Sequence, residues 1–191
     1  SRGLGDVYKR QDLMRVITGI ARGRKLVTLE GEEVVRPTTD RVKEAMFSII
    51  QFDIPGKSVL DLFAGSGQLG IEALSRGAEK AVFVDKSAEA FSVVKQNLKT
   101  CGLSDKATVI NSDSFSFLRS TAEKFDIILI DPPYSRQMAE TALSLVDGVL
   151  KDGGIVMCET DYREDLPEEV GDIKKIKEYK YSKTKLTTYK K

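Results

Sequence analysis

From Ser58 onward the sequence alternates short apolar runs with amphipathic stretches, and this alternation restricts the fold more than any other feature. Strands read at 58–63 (SVLDLF), 80–84 (KAVFV), 107–110 (ATVI), 126–130 (DIILI) and 154–159 (GIVMCE). Helices read between them, at about 68–76, 87–101, 114–122 and 136–150. Apolar strands joined by helical crossovers predict βαβ units, and so a parallel sheet covered on both faces. The chain then changes character. Residues 173–182 and 184–190 read as two antiparallel strands with Tyr179, Tyr181, Leu186 and Tyr189 at apolar positions. The expected fold is α/β, a seven-stranded and mostly parallel sheet that ends in an antiparallel hairpin.

A smaller unit precedes this alternation. Met14 to Leu29 read as two short strands around Ala21-Arg22-Gly23, with Val16, Thr18 and Ile20 alternating against Ile17 and Gly19. Arg36-Pro37-Thr38-Thr39 marks a helix start, a proline ahead of hydroxyl caps. Val42, Ala45, Met46, Ile49 and Ile50 then recur at i, i+3, i+4, i+7 and i+8, one face of a helix. Pro55-Gly56 ends the unit. Residues 14–56 are therefore expected as an N-terminal hairpin and helix, and 57–191 as the main domain. A chain of 191 residues is long enough for one domain with a sizeable core and too short for two full ones. Residues 1–13 show no clear periodicity and read as a tag, linker or translation scar; a native disordered arm is the other reading.

Charge and composition narrow the chemistry. Lys and Arg number 30 against 29 Asp and Glu, so binding of a polyanion must come from local patches. Arg15, Arg22, Arg24 and Lys25 form one such patch in a segment without acids. A second runs from Asp172 to Lys191, with eight lysines against Asp172 and Glu178; a solvated face is the plainer reading there. The chain has no histidine, which excludes a Ser-His-Asp or Cys-His nucleophile, a His-ligated zinc or haem, and imidazole acid–base chemistry. Cys101 and Cys158 are too far apart for a CxxC site and read as reduced core thiols of a cytoplasmic protein. No apolar run approaches the ~20 residues of a membrane span, and the N-terminus lacks the apolar core of a secretory signal.

Four strand ends carry the candidate chemistry. Asp61-Leu62-Phe63-Ala64-Gly65-Ser66-Gly67-Gln68-Leu69-Gly70 closes a strand and opens a helix. Its glycines permit a tight turn and close approach of a ligand to backbone amides. Gly65, Gly67 and Gly70 spell GxGxxG, and Asp85 ends the next strand, where a carboxylate can take ribose hydroxyls. Asp61, four residues before Gly65, disfavours a pyrophosphate there and suits a ligand with a cationic end, such as an amino group or a sulfonium. Asn111-Ser112-Asp113-Ser114-Phe115 follows the third strand, where Asp113 could accept from an adenine amine or cap a helix. Asp131-Pro132-Pro133-Tyr134 follows the fourth. Two prolines leave carbonyl acceptors without amide donors. An Asp carboxylate and a Pro carbonyl can together accept from one exocyclic amine, and Tyr134 offers a face on which a base can stack.

In this order and spacing, DLFAGSGQLG, VFVDKS, NSDSF and IDPPY resemble motifs I to IV of the class I S-adenosylmethionine-dependent methyltransferases. MRVITGIARGRKL and RPTTDRVKEAMFSII are similar to the RsmD family, and the likeness runs from Met14 to the C-terminus. The resemblance implies a Rossmann-like fold and methyl transfer to N2 of a guanine in bacterial 16S ribosomal RNA during small-subunit assembly, by a monomer without a metal. It implies that Phe63, Ala64, Gly65, Ser66 and Gly67 wrap the methionine portion of the cofactor, with Asp61 nearby. Asp85 and Lys86 would serve the ribose, and Ser112, Asp113 and Ser114 the adenine. Asp131, Pro132, Pro133 and Tyr134 would hold the target base. Arg36 and Thr38 would sit near the cofactor or the RNA, with Arg15, Arg22, Arg24 and Lys25 on the RNA. Some relatives have Asn in place of Asp131, which leaves open whether this acid also takes a proton. Ser182 stands where many relatives have Gly in the last hairpin. Alternatives from the residues are another amino-methylating enzyme acting on adenine in DNA or RNA, a nicotinamide-dependent oxidoreductase, and a non-enzymatic RNA-binding module.

Overall fold

The computed structural model describes residues 14–29, 40–133 and 137–191. Its strands are β1 (Ser58–Asp61), β2 (Lys80–Asp85), β3 (Ala107–Asn111), β4 (Phe125–Ile130), β5 (Leu150–Asp161), β6 (Glu169–Val170), β7 (Ile173–Tyr181) and β8 (Thr184–Lys190). The helices are α1 (Asp40–Ile50), α2 (Gln68–Ser75), α3 (Ala88–Cys101), α4 (Ser114–Ser120) and α5 (Met138–Val146). All eight strands form one sheet in the order β3-β2-β1-β4-β5-β8-β7-β6. The first five neighbours are parallel; β8 runs antiparallel between β5 and β7.

The parallel strands are buried on both faces, as their unbroken apolar runs require. On β4, Leu129 packs with Val59, Phe83, Met157 and the residues of α2 and α3. Its neighbours Ile128 and Ile130 point the other way, to Val82, Val84, Phe117, Leu143 and Val156. The N-terminal segment joins the first of these clusters through Val16, Leu26, Val42, Met46 and Phe47. Leu186 and Tyr189 of β8 fall into opposite clusters, which extends both cores under the C-terminal hairpin.

Three expectations change in detail. The sheet has eight strands, not seven, because Glu169–Val170 pairs with Ile173 and Lys174 around Gly171 at φ 57°. Two residues are too few to show a period of two in the sequence. The 14–29 segment is not a two-stranded ladder: Arg15 and Lys25 make one isolated antiparallel bridge. The Val16, Gly23 and Leu26 amides still bond across the segment, to Arg24, Val16 and Met14, but the amides between them turn to α2: Ile17 and Thr18 donate to the Glu72 carboxylate at 2.9 and 3.0 Å and Ile20 to the Ser75 carbonyl at 2.9 Å. The helix expected to 150 stops at Val146 and tightens to a 3-10 turn over Asp147–Val149 before β5 begins at Leu150. The last hairpin forms with Ser182 at φ 56°, the left-handed conformation that a glycine would adopt more easily. Among the described residues no helix is long and apolar enough to cross a membrane. Cys101 and Cys158 are both free, and burial raises both thiols above their ordinary range, which keeps them protonated.

Candidate functional site

β3, β2, β1 and β4 lie side by side and run the same way, so the segments that leave their C-terminal ends emerge along one edge of the sheet. Asp61 is in register with Phe83 and Leu129, and Asp85 with Asn111. Ligands of open parallel sheets bind beyond such ends. The topology therefore brings together 62–67, 85–87, 111–114 and 131–133.

The glycine turn is held from three sides. Leu62 donates to the Leu129 carbonyl at 3.1 Å, Ala64 to Val84 at 2.9 Å, and Gly67 to Ala64 at 2.7 Å. Gly65 at φ 56° and Gly67 at φ 83° take left-handed conformations that a side chain would strain. Gly67 is the N-cap of α2 and has no side chain to cap it. Asp61, 1% exposed, supplies that acceptor instead: its Oδ2 receives the Gly70 amide at 2.9 Å. A Cβ on Gly70 would stand 2.3 Å from Phe83 Cε1, so the third glycine serves the contact of α2 with β2.

Asp85 ends β2 half-buried, with Oδ2 on the Gly65 amide and Oδ1 on the Ser87 amide, both at 2.9 Å. Ser87 in turn caps α3 by accepting from Ala90. Lys86 is exposed beside it. The carbonyls of Asp85 and Lys86 accept from Asn111 Nδ2 at 3.1 and 3.0 Å, which ties the ends of β2 and β3. Asp113 is the N-cap of α4, accepting the Ser116 amide at 2.9 Å. Ser112 donates to the Asp113 carbonyl, and the buried Ser114 hydroxyl to the Leu62 carbonyl. Phe63 and Phe115 meet edge to face with centroids 6.0 Å apart, an apolar wall between the glycine turn and the start of α4.

After β4, Asp131 is 6% exposed, Pro132 half-buried and Pro133 exposed. Tyr134 lies outside the described residues, as do Arg36 and Thr38. Gln137 caps α5 at φ 82°, and its backbone amide donates to the Glu164 carboxylate, whose proton affinity burial raises. Arg15, Arg22, Arg24 and Lys25 are all exposed on the N-terminal segment. Several C-terminal lysines are instead structural. Lys185, 2% exposed, donates to the Glu164 carbonyl, and Lys175 pairs with Glu168 and Glu178.

Two residues that hold this edge escaped the reading of the sequence. Glu72 is fully buried on α2 and accepts from Ile17, Thr18 and Arg76. Asn97 is buried on α3 and contacts both the N-terminal segment and the glycine turn. The signal for Asn97 was present: it falls on the buried stripe of Ala90, Val94 and Leu98, where a polar residue needs a partner.

Residues 14–190 match the family model described as conserved hypothetical protein 95. YlbH of Bacillus subtilis is 43% identical over 183 residues, 93% of this chain and 99% of that protein. Ribosomal RNA small subunit methyltransferase D of Haemophilus influenzae is 41% identical over 153 residues, 78% of this chain and 79% of that protein. The solved structure of yhhF from Escherichia coli superposes with a TM-score of 0.82 at 32% identity, covering 94% of this chain and 98% of that one.

Proposed function

The chain belongs to the conserved hypothetical protein 95 family, the RsmD family, and on that premise we propose that it transfers a methyl group from S-adenosylmethionine to the exocyclic N2 of a guanine in 16S ribosomal RNA. The observation that carries this reading is the meeting, along one sheet edge, of a glycine turn pinned by Asp85 with Asp113 and the Asp131-Pro132-Pro133 exit. The name of the Haemophilus influenzae relative supports ribosomal RNA as the substrate class.

The residues present fit such a cofactor. Each carboxylate oxygen of Asp85 accepts one backbone amide and has a further lone pair for a ribose hydroxyl. Asp113 uses Oδ2 on its helix and has Oδ1 for an adenine amine. Phe63 and Phe115 supply apolar surface between them. Asp61 shapes the turn from below and puts negative charge behind it. Lys86 and Ser112 complete the rim, and the buried Ser114 ties the start of α4 to the Leu62 carbonyl behind it. S-adenosylmethionine supplies, when bound, a methyl group on a positively charged sulfur.

The target nitrogen is a poor nucleophile, because its lone pair is delocalised into the ring. Asp131 and the Pro132 carbonyl accept its two N–H groups and favour a pyramidal nitrogen. Asp131 then faces the positive charge that develops on that nitrogen, in a buried setting where a fixed carboxylate acts most strongly. The proton leaves to Asp131 or to water. Pro133 stiffens the exit, and Tyr134 stacks on a base that has left its helix. Arg15, Arg22, Arg24 and Lys25, with Arg36 and Thr38, contact the RNA in a small subunit under assembly.

The deciding assay is tritium transfer from labelled S-adenosylmethionine to naked 16S RNA, to an immature small-subunit particle and to DNA, with nucleoside analysis of the product. N2-methylguanosine from the particle or the RNA is the expected product. Methyladenine, or label in DNA alone, would replace this reading by another amino methylation.

A further inference from the structure

We infer that Asn97 is a positioning residue that makes the shape of the glycine turn depend on the docking of the N-terminal segment. The inference rests on the reading that this turn holds S-adenosylmethionine. Asn97 lies on α3, far from any strand end in sequence, and is 1% exposed. Its Oδ1 accepts the Val27 amide at 2.8 Å, and its Nδ2 donates to the Val27 carbonyl at 2.9 Å. The side-chain amide thus pairs with the peptide groups of Val27 as one strand residue pairs with another. That double contact fixes which way the amide faces, since the oxygen must meet an N–H and the nitrogen a carbonyl. The remaining Nδ2 hydrogen goes to the Ser66 carbonyl at 2.9 Å.

Ser66 sits between Gly65 at φ 56° and Gly67 at φ 83°, at the centre of the turn. Glycines on both sides leave the turn little intrinsic preference for one shape. Its form is therefore set by what grips it. Asp85 grips the Gly65 amide from β2, and Asn97 grips the Ser66 carbonyl from α3. The Ser66 hydroxyl also reaches Met14 Sδ at 3.4 Å, and Met14 accepts the Leu26 amide, so both arms of the N-terminal segment close over the same residue. The segment that exposes Arg22, Arg24 and Lys25 is thereby a strut of the cofactor turn. By linkage, a polyanion that steadies this segment tightens the turn, and a filled turn steadies the segment.

The test measures S-adenosylhomocysteine affinity by calorimetry, and the KM for S-adenosylmethionine and kcat in the methyl-transfer assay, for wild type, Asn97→Ala and Val27→Pro. Val27 is exposed, and proline there deletes the amide that Asn97 Oδ1 accepts. Asn97→Ala is expected to weaken binding about tenfold and Val27→Pro about threefold, the loss of buried and of single hydrogen bonds. KM should rise in step, with kcat within about twofold of wild type. A role in folding alone would lower the melting temperature and leave the affinity of the folded protein intact, and that result overturns the inference. Wild-type affinity in Val27→Pro overturns it whatever Asn97→Ala does, including failure to fold. A wild-type protein that binds no S-adenosylhomocysteine would instead remove the reading of the turn on which the inference stands.

Discussion

The carboxylate of Asp85 accepts the backbone amide of Gly65 at 2.9 Å, so the acid that ends β2 holds the turn that ends β1. On the proposed function Asp85 has two duties, to the turn it is seen to hold and to the ribose. Asp85→Ala removes both. Calorimetry with S-adenosylhomocysteine should show a loss of about 1.5–3 kcal/mol, the range for hydrogen bonds to a charged group. Asp85→Asn keeps one acceptor and should fall between. Unchanged affinity in the alanine variant would take Asp85 out of the site.

Asp131 is expected to act on the chemical step and not on cofactor binding. On the proposed function, a carboxylate buried after β4 would stand beside the nitrogen that becomes positive. Asp131→Ala should raise the barrier by about 2.7–4 kcal/mol, a loss of about 10²–10³ in kcat, the size of removing one preorganised electrostatic partner. S-adenosylhomocysteine affinity should stay at the wild-type value. Near-normal turnover on the ribosomal particle would refute the role.

Much of this edge was readable in the sequence because its logic is local. A strand, two glycines in a left-handed turn and an acid at the next strand end fall within 25 residues, Asp61 to Asp85. The parallel sheet was equally legible from unbroken apolar strands. What escaped detection depends on distant partners. Glu72 and Asn97 meet groups 55 and 70 residues away, and nothing at those positions names the partner. For the same reason the N-terminal segment looked like a free hairpin: its alternation implied a ladder, but Glu72 and Ser75 supply the acceptors that a second strand would have supplied. Asp61 was legible as an acid at a strand end, but not its hold on the Gly70 amide, which depends on how α2 folds back over β1.

The exposed cations of the N-terminal segment predict a salt-dependent affinity for RNA. Arg22, Arg24 and Lys25 point to solvent. Replacing any one of them by Gln should weaken binding at all sequences alike and reduce the slope of log affinity against log salt by about 1 for a phosphate contact. Filter binding from low to moderate salt measures it. A slope unchanged in the triple variant would assign RNA contact elsewhere.

Acid should loosen the C-terminal hairpin through Glu178. Its hydrogen bond from Lys175, together with Lys185, holds the carboxyl below its ordinary value of 4.5. A depressed carboxylate stabilises the fold above the unfolded value and loses that contribution as pH falls through the folded one. Wild-type melting temperature should therefore drop as pH is lowered below 4.5, and Glu178→Gln should lose stability at pH 7 with a flatter acid limb. Parallel acid limbs for the two proteins would show that Glu178 contributes nothing to the pH dependence.

The buried cluster around Glu72 should respond unequally to loss of its two sides. Glu72 accepts from Ile17, Thr18 and Arg76 Nε, and Lys43 Nζ lies 3.6 Å away. Burial pulls the Lys43 ammonium below its ordinary proton affinity, with Glu72 opposing that shift. Glu72→Gln leaves Lys43 and Arg76 without their carboxylate in a dry site, and breaking a buried pair from one side costs about 3–5 kcal/mol. Lys43→Met leaves Glu72 its arginine and both amides. It also removes a desolvated charge, and the Arg15 carbonyl loses its donor, at about 1–3 kcal/mol. Urea unfolding of the two variants compares them directly. Glu72→Gln should be the less stable by a clear margin, and hydrogen exchange at Ile17 and Thr18 should rise in that variant alone. Equal losses would mean that the ion pair, and not the carboxylate's hold on the N-terminal segment, is what the cluster provides.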